Sequence, residues 1–305
     1  MYTKNASQHL GLDVHSHEQL DFVDVFIDED SKLFIDPLLI KCFTDFDIYA
    51  HRVNDRLNSF FNYFFSVYSN PANRSEKNTL LKHAQEINET KLGYGNGLNG
   101  KGSTCQGLVK LFSPLEDLFD NQINISSPID VPLVLHGFAE DRFSDMITNI
   151  ISDILIDFTY DQCQKYKIDT VQAIEPRYFW DDTQNQWKPV FGDRLYINDT
   201  PILLVPKWFV RPKYFYNTRD FFIQKIVKYL QNKTEIAHGY RPSITELNEQ
   251  LLTEYGCIHA VIFDFLKNYP GLLESYQDDL GLKYDFTDFH LNDVTLDDLL
   301  YRSEQ

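Results

Sequence analysis

Apolar side chains recur at helical spacing along a stretch that begins at Phe143. A period of three or four residues places such side chains on one face, so the stretch predicts a long helix from about Asp141 with one buried face. The apolar positions are Phe143, Met146, Ile147, Ile150, Ile151, Ile154 and Phe158. Asp141, Asp145 and Asn149 lie four residues apart and form a polar stripe on the same helix.

The same period predicts further helices on both sides of this one. Their ranges are 53–68, 76–89, 106–112, 218–231, 243–255 and 258–268. Ser243 with Glu246 three residues later is the sequence of a capping box, which marks a helix start. The acidic end of the chain, from Glu274 onward, predicts a loose helix or a peripheral tail.

Shorter apolar runs bounded by turn residues predict strands. Phe22–Ile27 and Lys32–Ile35 flank a polar turn at 28–31 and predict a hairpin. Residues 174–197 have the turn and aromatic residues of a small antiparallel unit, and 201–207 predicts a strand closed by proline. Residues 131–135 fit either a short strand or the lead-in to the next helix.

These elements together predict an α+β fold. We expect a small mixed or antiparallel sheet packed with helices, followed by a helical C-terminal part. Residues 1–217 would form the α+β core with a glycine-rich loop at 93–103, and residues 218–305 the helical part of the same domain.

Composition narrows the class of partner and the compartment. The net charge of −17 makes broad electrostatic capture of a phosphate backbone unfavourable, although cations concentrate between Lys207 and Lys233. No stretch approaches the roughly 20 apolar residues of a membrane span. The first nine residues lack the apolar centre of a secretion signal. We therefore expect a cytoplasmic protein without membrane association, and the four dispersed cysteines predict reduced, mostly buried thiols.

Carboxylates at the start of the long helix form the main candidate site. Asp141 and Asp145 lie one helical turn apart, and such a pair can share a hard cation such as Mg²⁺ or Mn²⁺. Asp36 follows a short apolar strand and can project into the same cleft, so we predict a metal site of Asp36, Asp141 and Asp145. The alternatives are that Asp36 caps the turn after it and that the helix stripe only faces solvent.

Cationic side chains complete the predicted catalytic group. Arg142 can neutralise a carboxylate or hold a phosphate through two N–H groups. Lys207 follows the apolar run at 201–205, and a lysine at a strand end can stabilise negative charge on a phosphoryl group. Restriction-type nucleases carry Asp or Glu two residues before this lysine, whereas Val205 stands there. The predicted catalytic residues are Asp141, Asp145, Asn149, Arg142 and Lys207.

The glycine-rich segment at 93–103 predicts a loop that binds substrate. Gly95, Gly100 and Lys101 match the first seven positions of a P-loop, but Gly102 stands where a P-loop requires Ser or Thr. We expect backbone N–H groups of this loop to approach an anion or to close over a pocket. The predicted substrate-binding residues are Gly95, Gly97, Gly100, Ser103 and Arg211. The alternative is a solvent-exposed connection.

Other polar positions have weaker signals. Asp24 alternates with Val23 and Val25, which predicts a carboxylate that faces away from the core. His15 and His17 lie two residues apart and would share one face of an extended segment, as a zinc pair does, but no further clear ligand cluster accompanies them.

Several of these motifs together resemble an uncharacterised family of bacterial proteins found beside mobile-element and defence genes. They are Leu33–Pro37 (LFIDP), Leu92–Gly95 (LGYG), Glu140–Ile151 with its DRFSDMITN sequence, and Pro201–Lys207. The resemblance covers about residues 12–211. It implies a role beside mobile-element or defence genes but does not imply a particular reaction. This chain has Ala139-Glu140 where relatives carry Gly-Pro, and their loop has no fixed lysine.

Two functions from different classes follow. The first is a defence or mobile-element protein that acts as a metal-dependent phosphodiester or nucleotide hydrolase, with a nucleic acid or nucleotide as substrate. The second is a non-enzymatic sensor or adaptor that binds a partner protein of the same system through an acidic surface and the glycine-rich loop. A DNA-mimicking inhibitor would use the −17 charge, but the basic segment and the large predicted core argue against it.

Overall fold

The structure is a computed structural model that describes residues 4–70, 72–85, 87–94, 104–123, 125–234, 240–283 and 290–301. Helices predominate in these ranges, and the strands are short and antiparallel, which confirms the predicted α+β class. From Thr218 onward the described elements are helices, as expected.

The first half of the chain is a series of helices around α3. They are α1 (Ala6–His9), α2 (Pro37–Cys42), α3 (Ile48–Tyr68), α4 (Arg74–Leu81), α5 (Cys105–Phe112), α6 (Pro114–Asp120), α7 (Val131–Val134), α8 (Glu140–Ile150) and α9 (Ser152–Tyr166). Phe60, Phe61 and Phe64 on α3 are fully buried, and the Phe61 ring meets the Phe143 ring of α8 edge to face at 5.7 Å. The predicted apolar face of α8 therefore packs on the aromatic face of α3.

Short antiparallel sheets lie against these helices. The strands are β1 (Phe34–Ile35), β2 (Val171–Gln172), β3 (Arg177–Asp181), β4 (Gln186–Val190), β5 (Asp193–Ile197), β6 (Thr200–Ile202) and β7 (Val210–Arg211). β3 pairs with β4, β5 lies between β2 and β6, and β1 pairs with β7. Of the antiparallel unit predicted at 174–197, β3 and β4 form the hairpin, whereas β5 pairs with β2 and β6 in a separate sheet.

The predicted hairpin at 22–35 is wrong. Phe34 pairs with Arg211 and Ile35 with Val210, while Phe22 forms an isolated bridge to Pro206. Both segments are apolar and buried, so each is paired with distant chain inside the core rather than with its neighbour in sequence. The turn between them still occurs, and Ser31 bridges to Leu92.

Three element boundaries differ from the predictions because side chains and distant residues take the backbone groups. The helix predicted at 76–89 ends at Leu81, since the indole N–H of Trp187 donates to the carbonyl of Leu80 at 2.7 Å. The long helix divides into α8 and α9 at Ile151, where the Ser152 hydroxyl lies 2.7 Å from the Asn149 carbonyl. The strand predicted at 201–207 ends at Ile202, because the next N–H, of Leu203, donates to Glu89.

Two predictions about single residues are also wrong. Asp24 is fully buried, and its carboxylate accepts hydrogen bonds from the N–H of Ser7 at 2.7 Å and from the Tyr301 hydroxyl at 2.8 Å. Alternation along a hairpin does not apply to it because no hairpin forms. The four cysteines are free as expected, but only Cys163 is buried.

The last helices close one side of the core. They are α10 (Thr218–Phe221), a π-helical segment (Phe222–Val227), α11 (Lys228–Lys233), α12 (Ile244–Tyr255), α13 (Ile258–Asn268), α14 (Leu272–Lys283) and α15 (Asp293–Leu300). The predicted capping box at Ser243 and Glu246 is confirmed. Among the described helices, none is both long and apolar enough to cross a membrane.

Candidate functional site

Strand β1 and helix α8 meet in the core and bring two sequence motifs together. The N–H of Ile35 donates to the Ser144 hydroxyl at 3.0 Å. The Tyr214 hydroxyl lies 2.9 Å from the carbonyl of Ile35 and 3.2 Å from the carbonyl of Glu140. Tyr214 therefore links the end of β1 to the first turn of α8 and lies at the centre of the candidate site.

Asp36 lies directly after β1 and is almost completely buried. Its carboxylate caps α2 by accepting the N–H of Leu38 at 2.8 Å, and it also accepts the N–H of Phe215 at 3.4 Å. Burial raises the pKa of this carboxyl to about 6, although those hydrogen bonds and the nearby Arg211 act to lower it. Asp36 therefore caps the turn that follows it, which was the alternative interpretation of this residue.

Asp141, in the first turn of α8, holds the chain at the entry to the glycine-rich segment. Its carboxylate accepts the N–H of Tyr94 at 3.2 Å. A Cβ atom at Gly93 would lie 2.6 Å from the same oxygen, and Gly93 has a φ of 134°, so this close approach requires glycine. The Tyr94 ring packs on Phe34 with centroids 4.7 Å apart. Burial is the main cause that raises the pKa of Asp141.

The next turns of α8 carry the other members of the polar stripe. Asp145 is half-buried, and the Asn149 side-chain amide donates to the carbonyls of Gln85 and Asp145. The Asn149 side-chain oxygen also lies 3.4 Å from the guanidinium of Arg177. The amide predicted to be catalytic is thus used to attach α8 to the segment after α4.

Carboxylates from two elements act electrostatically on the Tyr214 hydroxyl. Burial raises the pKa of Tyr214 well above its usual value, and Asp36, Glu140, Asp145 and Asp141 raise it further through their charges. The prediction that Asp36 lies in the same region as the α8 carboxylates agrees with this arrangement. Over the described ranges, however, no three His, Cys, Asp or Glu side chains are grouped closely enough to hold a metal ion.

The predicted cations divide between two places. Lys207 was predicted to lie at this cluster, and that prediction is wrong. Its ammonium contacts Asp293 of α15 at 2.6 Å and the carbonyl of His17 at 2.7 Å. Arg211 instead lies near enough to Asp36 for their charges to interact. Its guanidinium also packs on Phe215, 5.1 Å from the ring centre. Burial lowers the pKa of Arg211 and the Asp36 charge opposes this.

Arg142 is exposed at the start of α8. Its guanidinium donates to the carbonyl of Gly137 at 2.8 Å, which closes the turn before the helix. Gly95, Gly97, Gly100 and Ser103, which were predicted to bind substrate, lie outside the described residues.

The predicted histidine pair does not form. His17 is fully buried, and one ring nitrogen lies 2.7 Å from the carboxylate of Asp297 while the other accepts the N–H of Asp24. His15 is exposed, and one of its ring nitrogens lies 3.4 Å from the carboxylate of Asp13. Both nitrogens of His17 have hydrogen-bond partners within the fold, which gives this residue a structural role.

Sequence reasoning missed Tyr214, Ser144 as a hydrogen-bond acceptor and the role of Tyr94. Tyr214 stands in the aromatic run Tyr214-Phe215-Tyr216, where nothing in the local pattern separates a core ring from one whose hydroxyl joins two elements. Ser144 and Tyr94 do lie inside the motifs that carry the resemblance, and that position was the available signal.

Fold and site together define an α+β protein with a buried polar cluster between a two-residue strand and the first turns of a helix. The chain belongs to the family described as a domain of unknown function, DUF8370, whose sequence model matches residues 11–217. Comparison with curated proteins and with solved structures found no match.

Proposed function

We propose that this protein is a recognition module, a sensor or adaptor that binds a partner protein, rather than a hydrolase. The observation that carries the proposal is that side chains suited to catalysis are hydrogen-bonded to the protein's own backbone. Asp36 accepts the N–H of Leu38, Asp141 accepts the N–H of Tyr94, and Arg142 donates to the carbonyl of Gly137. These contacts stabilise one conformation of each side chain and use part of its hydrogen-bonding capacity within the fold.

Exposed carboxylates supply a surface for the partner. The chain has a net charge of −17, and Glu274 and Asp278 lie one turn apart on the exposed face of α14. Surface charge of one sign accelerates association with a partner of the opposite sign and excludes partners of the same sign. The proposed partner is therefore a protein with a positively charged surface.

The resemblance supports a setting for this role. A bacterial protein encoded beside defence or mobile-element genes would meet its partner in the cytoplasm, and both the setting and the cytoplasmic location belong to the proposal. The partner would be another protein of the same system.

A metal-dependent phosphodiester or nucleotide hydrolase is the second candidate. It is favoured by the four carboxylates whose charges act on Tyr214. Mg²⁺ often uses only one or two protein carboxylates and completes its shell with water and phosphate. In this candidate Asp141 and Asp145 would bind Mg²⁺ or Mn²⁺, with Asp36 beside them, and Arg142 and Arg211 would contact the phosphate of a nucleotide or nucleic acid.

Metal titration separates the two candidates. A bound ion at about 100 times its Kd would stabilise the protein by roughly 2.7 kcal/mol, which a melting curve detects. We expect Mn²⁺ to leave the melting temperature unchanged and nucleotides, DNA and RNA to remain intact. The Asp145→Asn variant is compared with Asp278→Asn as a matched surface control. A Mn²⁺-dependent shift with hydrolysis, both lost only in Asp145→Asn, would establish the hydrolase.

Binding is measured separately by chemical cross-linking and capture from cells that produce the protein. We expect a basic protein whose capture weakens as salt is added, because exposed charges are screened within about 10 Å at 0.1 M salt. Capture should also weaken in the double variant Glu274→Gln/Asp278→Asn. Capture that is unaffected by salt and by this variant would contradict an acidic docking surface.

A further inference from the structure

A cavity of about 240 Å³ opens between α3, α4 and the β3–β4 hairpin. Its aromatic lining consists of Tyr63, Trp180 and Trp187, and Glu76 is the acidic residue in the lining. Pockets for drug-sized ligands measure roughly 300–1,000 Å³, so this cavity suits a smaller group. None of these residues belongs to the cluster around Tyr214.

The rings form walls in different planes. Trp180 and Trp187 have centroids 5.9 Å apart and planes at 81°, and the Tyr63 ring lies 5.5 Å from Trp180 at 38°. A flat base stacks best between parallel faces, whereas a round cation gains from rings that approach it from several directions. The ring geometry therefore favours a compact cation over a planar ligand.

Hydrogen bonds and packing hold the rings in place without a ligand. The Trp187 indole N–H donates to the carbonyl of Leu80 at 2.7 Å. Trp180 is almost completely buried and meets Phe60 edge to face at 5.0 Å, so it forms the floor of the cavity. A ligand would lose little free energy to the ordering of these side chains, which is the benefit of a preorganised site.

The charge of the cavity also suits a cation. The Tyr63 hydroxyl donates to the carboxylate of Glu76, which fixes the acid at the wall. The adjacent Lys77 is directed elsewhere, with its ammonium 2.8 Å from Glu116. Lys188, next to Trp187 in sequence, is paired with Asp181. The wall of the cavity thus has a carboxylate, and neighbouring ammonium groups are paired with other acids.

We propose that this cavity binds a methylated ammonium group against the rings of Tyr63 and Trp187, above the buried Trp180, and near the charge of Glu76. The same chemistry occurs in a free choline-type molecule and in a trimethylated lysine side chain of a protein. The inference goes beyond the proposed function and does not depend on it, because it rests on different residues.

Tryptophan fluorescence and calorimetric titration of the 305-residue chain test the proposal. The probes are choline, its neutral carbon isostere 3,3-dimethylbutan-1-ol, and a peptide that contains trimethyllysine. We expect at least one cation to bind roughly 10-fold or more tightly than the neutral isostere, because a desolvated cation–π contact adds to apolar burial. Tighter binding of the peptide would identify a protein side chain as the source, and tighter binding of choline a small molecule.

Two variants locate the binding. Glu76→Gln removes the charge but keeps an acceptor for the Tyr63 hydroxyl, and it should weaken the cation without affecting the neutral isostere. Trp187→Phe keeps an apolar ring but loses the indole, and it should weaken both ligands. Glu249→Gln, on the exposed face of α12, is the matched control and should bind as wild type does.

Three results would overturn the proposal. The first is that neither choline nor the peptide binds. The second is that choline, the peptide and the neutral isostere bind equally well. The third is that Glu76→Gln binds the cation as tightly as wild type does. Melting curves identify a variant that fails to fold. If Trp187→Phe does so, Glu76→Gln alone decides the outcome.

Discussion

At the scale of single residues, polar side chains in the motifs serve mainly to hold backbone. The carboxylates of Asp36 and Asp141 and the amide of Asn149 each have a backbone partner in a distant segment, namely Phe215, Tyr94 and Gln85. The sequence identified these positions as special because polar residues interrupt apolar runs there. It could not assign their role, since an oxygen that accepts an N–H and one that binds a metal belong to the same residue types.

Gly93→Ala tests the close approach beneath α8. The new Cβ would lie 2.6 Å from an Asp141 carboxylate oxygen, and the φ of 134° is strained for any side chain. We expect a loss of about 1–3 kcal/mol in the free energy of unfolding, measured by urea denaturation.

Gly271→Ala is the matched control for this substitution, because a Cβ there meets nothing within 4 Å. It should change stability by less than about 1 kcal/mol. Equal stability of the two variants would show that Asp141 does not constrain Gly93.

At the scale of elements, helices with many apolar positions were predictable and short strands were not. The face of α3 and the capping box of α12 follow from local spacing and local hydrogen bonds. β1 and β7 have two residues each and lie far apart in sequence, so no local pattern could pair them. Helix α15 was also not predictable from local pattern, because its acidic sequence is equally typical of a peripheral tail and its contacts are with residues far away in sequence.

Helix α15 is attached to the N-terminal region through Asp297. Its carboxylate accepts the N–H of His17 at 2.9 Å and the hydroxyl of Ser16 at 2.8 Å, and the His17 ring stacks on Tyr301. Asp297→Ala would leave these donors without their acceptor. We expect a loss of about 1–3 kcal/mol and faster amide hydrogen exchange throughout α15.

Val294→Ala is the control on the same helix, because Val294 is 64% exposed. It should leave hydrogen exchange in α15 close to that of wild type. Exchange in Asp297→Ala that matches this control would mean that other contacts, among them the ion pair of Lys207 with Asp293, are sufficient to hold the helix.

At the scale of the whole molecule, buried carboxyls connect the N-terminal core with the last helices. Burial raises the pKa of Asp130 to about 6, although hydrogen bonds from Gln277 of α14 and Tyr216 oppose this. Asp36 has a raised pKa for the same main reason. Both carboxyls favour the protonated form in the folded protein more than in the unfolded chain.

This preference predicts how stability depends on pH. Between pH 4 and pH 6 the folded protein binds more protons than the unfolded chain at these sites, so their contribution falls as pH rises. The pKa of Asp36 rises from its ordinary 3.8 to about 6 on folding, and over the whole pH range this shift corresponds to roughly 3 kcal/mol in the free energy of unfolding. In Asp36→Asn this loss is absent, so the variant should gain about 2.4 kcal/mol relative to wild type between pH 4 and pH 7, because the unfolded wild-type carboxyl is already partly ionised at pH 4. Urea denaturation at both pH values measures the gap, and a constant gap would contradict the raised pKa.

The sequence by itself determined the fold class, most helices and the polar positions along the first turns of α8, because these depend on local periodicity and on which side chains are polar. Only the tertiary structure decided that β1 pairs with β7, that Lys207 contacts Asp293 on α15, and that Tyr214 joins two motifs. Those contacts link residues far apart along the chain, and the free energy that selects them comes from burial and hydrogen bonding in the assembled core.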